Sequence, residues 1–255
     1  MRSIAKLMKD WQFTGPNGVT TAVELPHTWN ARDGQDGGND YWRGCCTYCT
    51  RFAAPVYDPA QQQVWLQFEG VNASAAVLLN GQQLCTHDGG YSTFRAEVTE
   101  LLQAENQLTV RVDNSVNDRV YPQKADFTFY GGIYRDVSLL VVNKNHIALG
   151  HFGDTGVKIT PALQENSADI QVETLVEGSG TVTVELLDAE GRTAAKGEGE
   201  NAFLHLDAPH LWNGVKDPYL YTCVVRLLQD GQPVDEVTTR VGLRSFSVDA
   251  KKGFF

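Results

Sequence analysis

One acidic side chain stands among aromatic side chains in the stretch YPQKADFTFYGGIYRDVSLLVV, residues 121–142. Asp126 is followed closely by Phe127, Phe129 and Tyr130. An aromatic face can cover the apolar C–H side of a pyranose ring while a carboxylate accepts hydrogen bonds from its hydroxyl groups. The stretch therefore predicts a sugar contact at Asp126. The structural alternative stays open, because Asp also caps turns and aromatic residues also line loops that enter a sandwich core.

The net charge and the length of the apolar runs exclude two classes of partner, nucleic acids and membranes. The chain has 31 acidic and 21 basic residues, a net charge of −10, which would repel phosphate backbones and anionic lipid headgroups. No apolar run approaches the ~20 residues of a membrane helix, and the N-terminal segment MRSIAKLMKDWQF lacks the apolar stretch of a secretory signal. We therefore expect a cytoplasmic protein that binds neither nucleic acid nor membranes.

The five cysteines are an odd number, so at least one thiol is unpaired, which is typical of a reducing compartment. Cys45, Cys46, Cys49 and His87 could be imagined as a zinc site. However, residues 45–49 have the pattern of a strand, whose alternation sends neighbouring sulfur atoms to opposite faces. We therefore expect no metal site and treat the cysteines as buried free thiols.

Period-two patterns run along nearly the whole chain and predict an all-β fold. Val64, Leu66 and Phe68 alternate with polar or amphipathic residues, and Asn80-Gly81 suits the positive φ angles of a tight hairpin turn. We predict buried faces on three strands, formed by Leu108, Val110 and Val112, by Val137, Leu139 and Val141, and by Val182, Val184 and Leu186. One short helical turn is expected within residues 99–104, with Leu101 and Leu102 packed inward.

The polar link Asn143-Lys144-Asn145 interrupts the apolar run and predicts a domain boundary near residue 143. We assign residues 1–143 to a jelly-roll sugar-binding domain, because many short strands in ~140 residues suit that architecture. Residues 144–248 contain about seven short strands with regular turns, as in an immunoglobulin-like β-sandwich. Residues 249–255 would then begin a linker.

Several motifs together resemble glycoside hydrolase family 2, the beta-galactosidases and beta-glucuronidases. Besides residues 121–142, the motifs that match in order are LPHTWNARDG (25–34), YWRG (41–44), FEGVNASAAVLLNG (68–81), HDGGYSTF (87–94), VRVDN (110–114), PHLWNGVKDPYLY (209–221) and RVGLRSFSV (240–248). A set of ordered matches is far more specific than any single short motif. The resemblance implies a galactose-binding-like jelly roll followed by the immunoglobulin-like domain.

The same resemblance implies that loops of the first domain complete a sugar pocket, which makes Asn39 and Asp40 candidate sugar contacts beside Asp126. In this family two glutamates on a (β/α)₈ barrel cleave the bond with retention, and such a barrel needs roughly 250 residues of its own. We therefore expect this chain to lack catalytic residues and to be inactive alone. A beta-galactosidase is favoured over a beta-glucuronidase, because residues 125–135 are more similar to the galactosidase branch and Tyr134 stands where glucuronidases usually have His.

The expected partners are β-galactoside sugars and the catalytic barrel of the parent protein. The resemblance implies no cofactor in this chain, because the Mg²⁺ or Na⁺ ions of the family lie mainly at barrel residues. Two other classes remain as alternatives, a stand-alone carbohydrate-binding module and a structural adhesion sandwich. The sequence leaves the oligomeric state open, with a homo-oligomer among the alternatives.

Overall fold

The computed structural model describes residues 1–31, 41–122, 125 and 127–254. The chain divides into two compact units, Ser3–Val141 and the residues from Val142 onward together with Met1 and Arg2. We call them the first and the second sandwich. Among the described residues, no helix is long and apolar enough to cross a membrane.

The first sandwich is built from short antiparallel strands. In chain order they are β1 (Ser3–Lys6), β2 (Trp11–Thr14), β3 (Thr20–Val23), β4 (His27–Thr28), β5 (Cys45–Ala53), β6 (Gln62–Phe68), β7 (Val71–Asn72), β8 (Ser74–Leu79), β9 (Gln82–Asp88), β10 (Phe94–Glu97), β11 (Glu105–Asp113), β12 (Gly132–Ile133) and β13 (Val137–Asn143). The division between the units falls inside β13.

The described residues of this unit form two larger sheets and one small sheet. The larger sheets have the strand orders β1-β13-β6-β10 and β3-β2-β5-β11-β8-β9, and the small one has the order β4-β12-β7. Side chains from both larger sheets form one core around Trp11, Tyr48 and Phe68, which are all fully buried. Burying an aromatic or branched aliphatic side chain contributes about 1.5–3 kcal/mol, so this core provides the main stabilisation of the sandwich.

The residue patterns predicted these elements correctly. Along β6, β11 and β13 the predicted apolar faces are buried, and β13 is buried on its other face as well. Asn80 and Gly81 have φ angles of 52° and 83° and join β8 to β9 in the predicted tight turn. Within the described parts of the chain the only helical element is a 3₁₀ turn at Thr99–Leu101, and Leu101 and Leu102 pack against the core.

The second sandwich continues the all-β fold. Its strands are β14 (His146–Ile147), β15 (Val157–Leu163), β16 (Ser167–Thr174), β17 (Val176–Glu177), β18 (Thr181–Leu187), β19 (Thr193–Glu198), β20 (Asn201–Asp207), β21 (Tyr221–Gln229), β22 (Gln232–Val241), β23 (Val248–Asp249) and β24 (Gly253–Phe254).

Seven strands of the second sandwich form two sheets around a separate core. Their orders are β15-β16-β20 and β19-β18-β21-β22, the three-plus-four division of an immunoglobulin-like fold. Ile170, Leu186 and Leu227 are among its fully buried residues. The predicted fold class, a jelly-roll sandwich followed by an immunoglobulin-like sandwich, is therefore confirmed.

Candidate functional site

The site lies at one end of the first sandwich, where the small sheet brings three chain segments together. Gly132 of β12 pairs with Thr28 of β4 on one side and with Asn72 of β7 on the other. The loop that enters β12 is the aromatic stretch singled out in the sequence. Its last part, residues 127–131, is held by side chains that come from other elements of the sandwich.

Asn114 holds this loop from the end of β11. Its side chain is fully buried, and its Nδ2 donates hydrogen bonds to the Phe129 carbonyl at 2.9 Å and to Asn30 Oδ1 at 3.2 Å. Its Oδ1 accepts a hydrogen bond from the Gly44 N–H at 2.8 Å. One amide thus joins two loops, because main-chain polar groups away from water must find partners.

Asn30 and Asn72 hold the next residues of the loop in the same way. Asn30 Oδ1 accepts a hydrogen bond from the Gly131 N–H at 2.8 Å, and Asn72 Nδ2 donates to the Tyr130 carbonyl at 2.7 Å. Both asparagines are buried. We call Asn30, Asn72 and Asn114 the asparagine clamp. Each neutral amide supplies donors and an acceptor, so it can bind an irregular main chain without burying a charge.

Two glycines, Gly131 and Gly132, allow the main chain of the loop to pass close to neighbouring residues. A Cβ at Gly131 would lie 2.0 Å from the Trp29 ring, and one at Gly132 would lie 2.3 Å from the His27 carbonyl oxygen. Gly132 also has a φ of 142°, which L-residues with side chains rarely adopt. The path of the loop therefore depends on the Gly131-Gly132 pair as well as on the clamp.

The aromatic residues of the loop divide into buried and exposed ones. Phe129 is only 8% exposed, and the Arg43 guanidinium lies 4.9 Å from its ring centroid. Phe129 is therefore not available to stack on a sugar, contrary to what its place beside Asp126 suggested. Phe127 and Tyr130 remain exposed.

The three predicted sugar contacts, Asp126, Asn39 and Asp40, lie outside the described residues. Sequence reasoning had not identified the clamp, although its three members stand in motifs noted above. The available signal was that Asn72 and Asn114 occur where buried strands end, and asparagine is suited to bind main chain at such places. Nothing local in the sequence shows which loop they bind, because that depends on strand pairing.

Partial burial lowers the pKa of two histidines near this end of the sandwich. His27 Nδ1 lies 2.7 Å from the Tyr48 hydroxyl, and burial lowers the pKa of His27. Burial also lowers the pKa of His87, whose Nε2 lies 3.0 Å from the Gly89 carbonyl and whose ring stacks on Phe94. His87 lies near the end of β9 and its imidazole contacts the Gly89 carbonyl and the Ser92 hydroxyl of the loop that follows.

All five cysteines are free thiols. Cys46 is buried, and burial raises its pKa to about 12, whereas Cys45 is exposed on the opposite face of β5. The predicted alternation of the sulfur atoms is confirmed, but burial is complete only at Cys46 and Cys223. The described ranges contain no group of three His, Cys, Asp or Glu side chains that could hold a metal ion.

Two family models match the chain. "Glycosyl hydrolase 2 galactose-binding domain-like" matches residues 38–162, and "Glycosyl hydrolases family 2" matches residues 151–244. A beta-glucuronidase of Bacteroides fragilis is 33% identical over 98% of this chain and 39% of the relative. A beta-galactosidase of Bacteroides ovatus is 32% identical over 96% of this chain and 32% of the relative.

Solved structures agree with these matches. The crystal structure of an FMN-binding beta-glucuronidase from Facaelibacterium prausnitzii L2-6 has a TM-score of 0.92 and 35% identity, covering all of this chain and 41% of that one. The chain thus spans less than half the length of these relatives. The family models, the identity along nearly the whole chain and the shared fold give one conclusion: the chain belongs to glycosyl hydrolase family 2.

Proposed function

We propose that this chain is the non-catalytic part of a family 2 glycoside hydrolase and that the loop end of its first sandwich helps to shape the sugar pocket. The asparagine clamp is the observation that supports this most strongly. It fixes the main chain of a loop whose side chains at Phe127 and Tyr130 face solvent. A loop that is already ordered loses little entropy when it binds a ligand.

In the complete protein, bond cleavage would belong to two glutamates on a (β/α)₈ barrel. One would act as the nucleophile and the other as acid and base, with carboxyl groups ~5 Å apart. We propose Asp126, Asn39 and Asp40 as contacts of this chain with the sugar. Their role would be to position the ring, while the two glutamates break the bond.

The comparisons favour a β-glucuronide over a β-galactoside as the substrate. The relative at 33% identity over 98% of the chain and the structure with a TM-score of 0.92 are both named as beta-glucuronidases. The sequence argument for a galactosidase depended on residues 125–135 and within them on Tyr134. Its hydroxyl donates a hydrogen bond to the Gly90 carbonyl, so this residue serves the main chain and is a weak guide to the substrate.

Kinetic assay of the complete protein tests the proposed substrate. We expect a higher kcat/KM for p-nitrophenyl β-D-glucuronide than for p-nitrophenyl β-D-galactoside, and no turnover of either by the 255-residue chain alone. A preference for the galactoside would instead support the second candidate function, a beta-galactosidase, which the similarity to the Bacteroides ovatus relative favours. Turnover that stays with the purified chain would contradict the non-catalytic role.

Asp126→Ala in the complete protein tests the proposed sugar contact. Losing a charge-assisted hydrogen bond worth roughly 1.5–3 kcal/mol should lower kcat/KM at least ~10-fold. Asp118→Ala is the matched control, since Asp118 is an exposed aspartate on the preceding part of the same connection. An unchanged kcat/KM, or a fall in melting temperature that explains the loss, would make Asp126 a structural turn residue.

The proposal also places the protein in the cytoplasm. Five free cysteines support a reducing compartment, because disulfides rarely persist there. Fractionation of the source cells, with detection of the protein by antibody, tests this location.

A further inference from the structure

The outermost strands of the sheets are the places where a further strand could pair with this protein. Such a strand presents main-chain N–H and C=O groups on its open side, and proteins usually protect them with charged side chains, prolines or β-bulges. Among the described residues, four sheets consist of strands of four residues or more. Their outermost strands are β1, β10, β3, β9, β15, β20, β19 and β22.

Only β3 among these strands lacks the usual protection. Charged side chains lie in β1, β9, β10, β15, β19, β20 and β22, and prolines lie in β15 and β22 as well. Register shifts also interrupt the pairing of β9 and of β19 with their neighbours. By contrast, β3 has the sequence TTAV, with neither charge nor proline, and pairs with β2 without a register shift. Its open side is therefore an unprotected edge.

The uncharged character extends along the whole hairpin that contains β3. Residues 11–23 include no Asp, Glu, Lys or Arg, in a chain of which 20% is charged. Thr20, Thr21 and Ala22 are exposed, and Val19 beside them is 53% exposed. With a net charge of −10, two copies of the chain repel each other over most of their surface. A contact between copies is thus favoured at this uncharged hairpin.

Hydrogen bonds on either side of β3 hold the strand in place. At the turn before it, the Gly15 N–H donates to the Val19 carbonyl at 3.1 Å and the Gly18 N–H donates to the Gly15 carbonyl at 3.0 Å. After the strand, the Leu25 N–H donates to the Met8 carbonyl at 2.8 Å. The edge is therefore already formed before any partner binds, which lowers the entropic cost of pairing.

The hydrogen bond next to the turn indicates which main-chain groups face outward. In an antiparallel pair, only every second residue of a strand bonds to its partner strand. Val19 bonds to Gly15, so the alternation assigns Thr21 and Val23 to bonding with β2. The N–H and C=O groups of Thr20 and Ala22 then point to the open side. The edge thus offers two donors and two acceptors.

This arrangement is complementary to itself around a two-fold axis. With the axis at Thr21, Thr20 would face Ala22 of a second copy and Ala22 would face its Thr20, so that four main-chain hydrogen bonds form. The two Thr21 residues would lie opposite each other at a non-hydrogen-bonded position, where Cα atoms are about 4.5 Å apart. Threonine pairs at facing positions stabilise antiparallel strands.

We propose that two copies of this chain associate through β3 and join their six-stranded sheets into one continuous sheet. One short strand is a small contact beside the roughly 1,200–2,000 Å² of stable interfaces, so the dimer should dissociate on dilution. The inference goes beyond the proposed function, because it concerns the association of two copies and involves no sugar.

Sedimentation velocity over a dilution series of the chain tests the association. We expect a reversible dimer, and Thr21→Lys should raise its Kd at least ~fivefold, because two like charges would face each other at the axis. Thr86→Lys is the matched control, since Thr86 is an exposed threonine on β9, the other outermost strand of the same sheet. A monomer at every concentration, or equal weakening by both variants, would overturn the proposal.

Hydrogen exchange of individual amides, followed by NMR, tests which groups form the contact. The amides of Thr20 and Ala22 should exchange more slowly as the protein concentration rises, because they become hydrogen-bonded only in the dimer. Exchange at Thr20 and Ala22 that is slow at every concentration would mean that another segment of the same chain covers β3. Dimerisation without slower exchange at these two residues would place the contact elsewhere. Either result would overturn the proposal.

Oxidative cross-linking tests the register. Thr21→Cys should give a disulfide-linked dimer under mild oxidation, because a Cα separation of about 4.5 Å lies within the range that disulfides span. The unsubstituted chain, which has five free thiols, sets the background, and Thr86→Cys should not exceed it. A yield from Thr21→Cys that is no higher than from Thr86→Cys would contradict a two-fold axis at Thr21.

Discussion

The two sandwiches bury polar groups for different purposes. In the first, the asparagine clamp holds an irregular loop through neutral amides. In the second, the carboxylate of Asp235 is 1% exposed and binds Arg2 through two hydrogen bonds of 2.6 and 2.7 Å. The ion pair anchors regular structure, because Asp235 also accepts a hydrogen bond from the N–H of Ile147 in β14.

This difference helps to separate a site from a framework. Buried polar groups that hold a regular strand contribute to stability alone, whereas those that hold a loop with exposed side chains also prepare it for a ligand. The clamped loop has exposed aromatic side chains at Phe127 and Tyr130. Asp235 lies in β22 and binds the main chain of β14, and both are regular strands, so we expect substitutions there to affect folding only.

The largest expected effect is from Arg2→Ala in the second sandwich. The substitution leaves the buried Asp235 carboxylate without its cation, and breaking a buried pair in this way costs about 3–5 kcal/mol. Urea unfolding at neutral pH should show this loss in the free energy of unfolding.

Lys158→Ala is the control for this experiment. Lys158 and Glu173 are 2.6 Å apart but exposed, so their pair should contribute about 0–1 kcal/mol. If Arg2→Ala costs no more than Lys158→Ala, the buried pair has no special role in the framework.

A somewhat smaller effect is expected from Asn114→Ala in the clamp. The Phe129 carbonyl and the Gly44 N–H would lose their partner, and unsatisfied buried groups cost about 1–3 kcal/mol each, so we expect a loss of about 2–4 kcal/mol. Hydrogen exchange should also speed up at residues 127–132, because the loop is no longer held.

Asn106→Ala separates the local effect from the global one. Asn106 is equally buried, but it binds Gln103 and Asn80 beside the hairpin turn instead of the aromatic loop. We expect similar destabilisation with normal protection at residues 127–132. Equal loss of protection in both variants would mean that the clamp acts on the sandwich as a whole.

The sequence predicted the regular parts of both sandwiches better than the site. Alternation placed Val64, Leu66 and Phe68 correctly because one buried face imposes a period of two on each strand. The grouping of Phe129 with Tyr130 was wrong because the path of an irregular loop depends on distant partners such as Asn114. Neither propensity nor periodicity carries that information, whereas the ordered motifs identified the family without it.

The smallest expected effect is a pH response of opposite sign in the two sandwiches. Burial lowers the pKa values of His27 and His87 below the ordinary 6.5, so folding of the first sandwich disfavours their protonation. Their contribution to stability is present above pH 6.5 and is lost as the pH falls below it.

In the second sandwich, the hydrogen bond from His205 to Asp169 raises the pKa of His205, with a smaller effect of Asp207. Its contribution is full below pH 6.5 and is lost as the pH rises through the higher folded value.

Hydrogen exchange at pH 7.5 and 5.5, corrected for the intrinsic exchange rates, measures the protection of main-chain amides in each sandwich separately. Lowering the pH should reduce protection in β5 and β11 and slightly increase it in β16 and β20. His27→Gln, which keeps a hydrogen-bonding partner for Tyr48, should reduce the response of the first sandwich, and His205→Gln should abolish that of the second. Should β16 and β20 lose protection in parallel with β5 and β11, the contrast between half-buried histidines with lowered pKa values and an ion-paired histidine would not explain the pH dependence. A response of the second sandwich that persists in His205→Gln would assign it to other groups, since this variant has no imidazole to protonate at position 205.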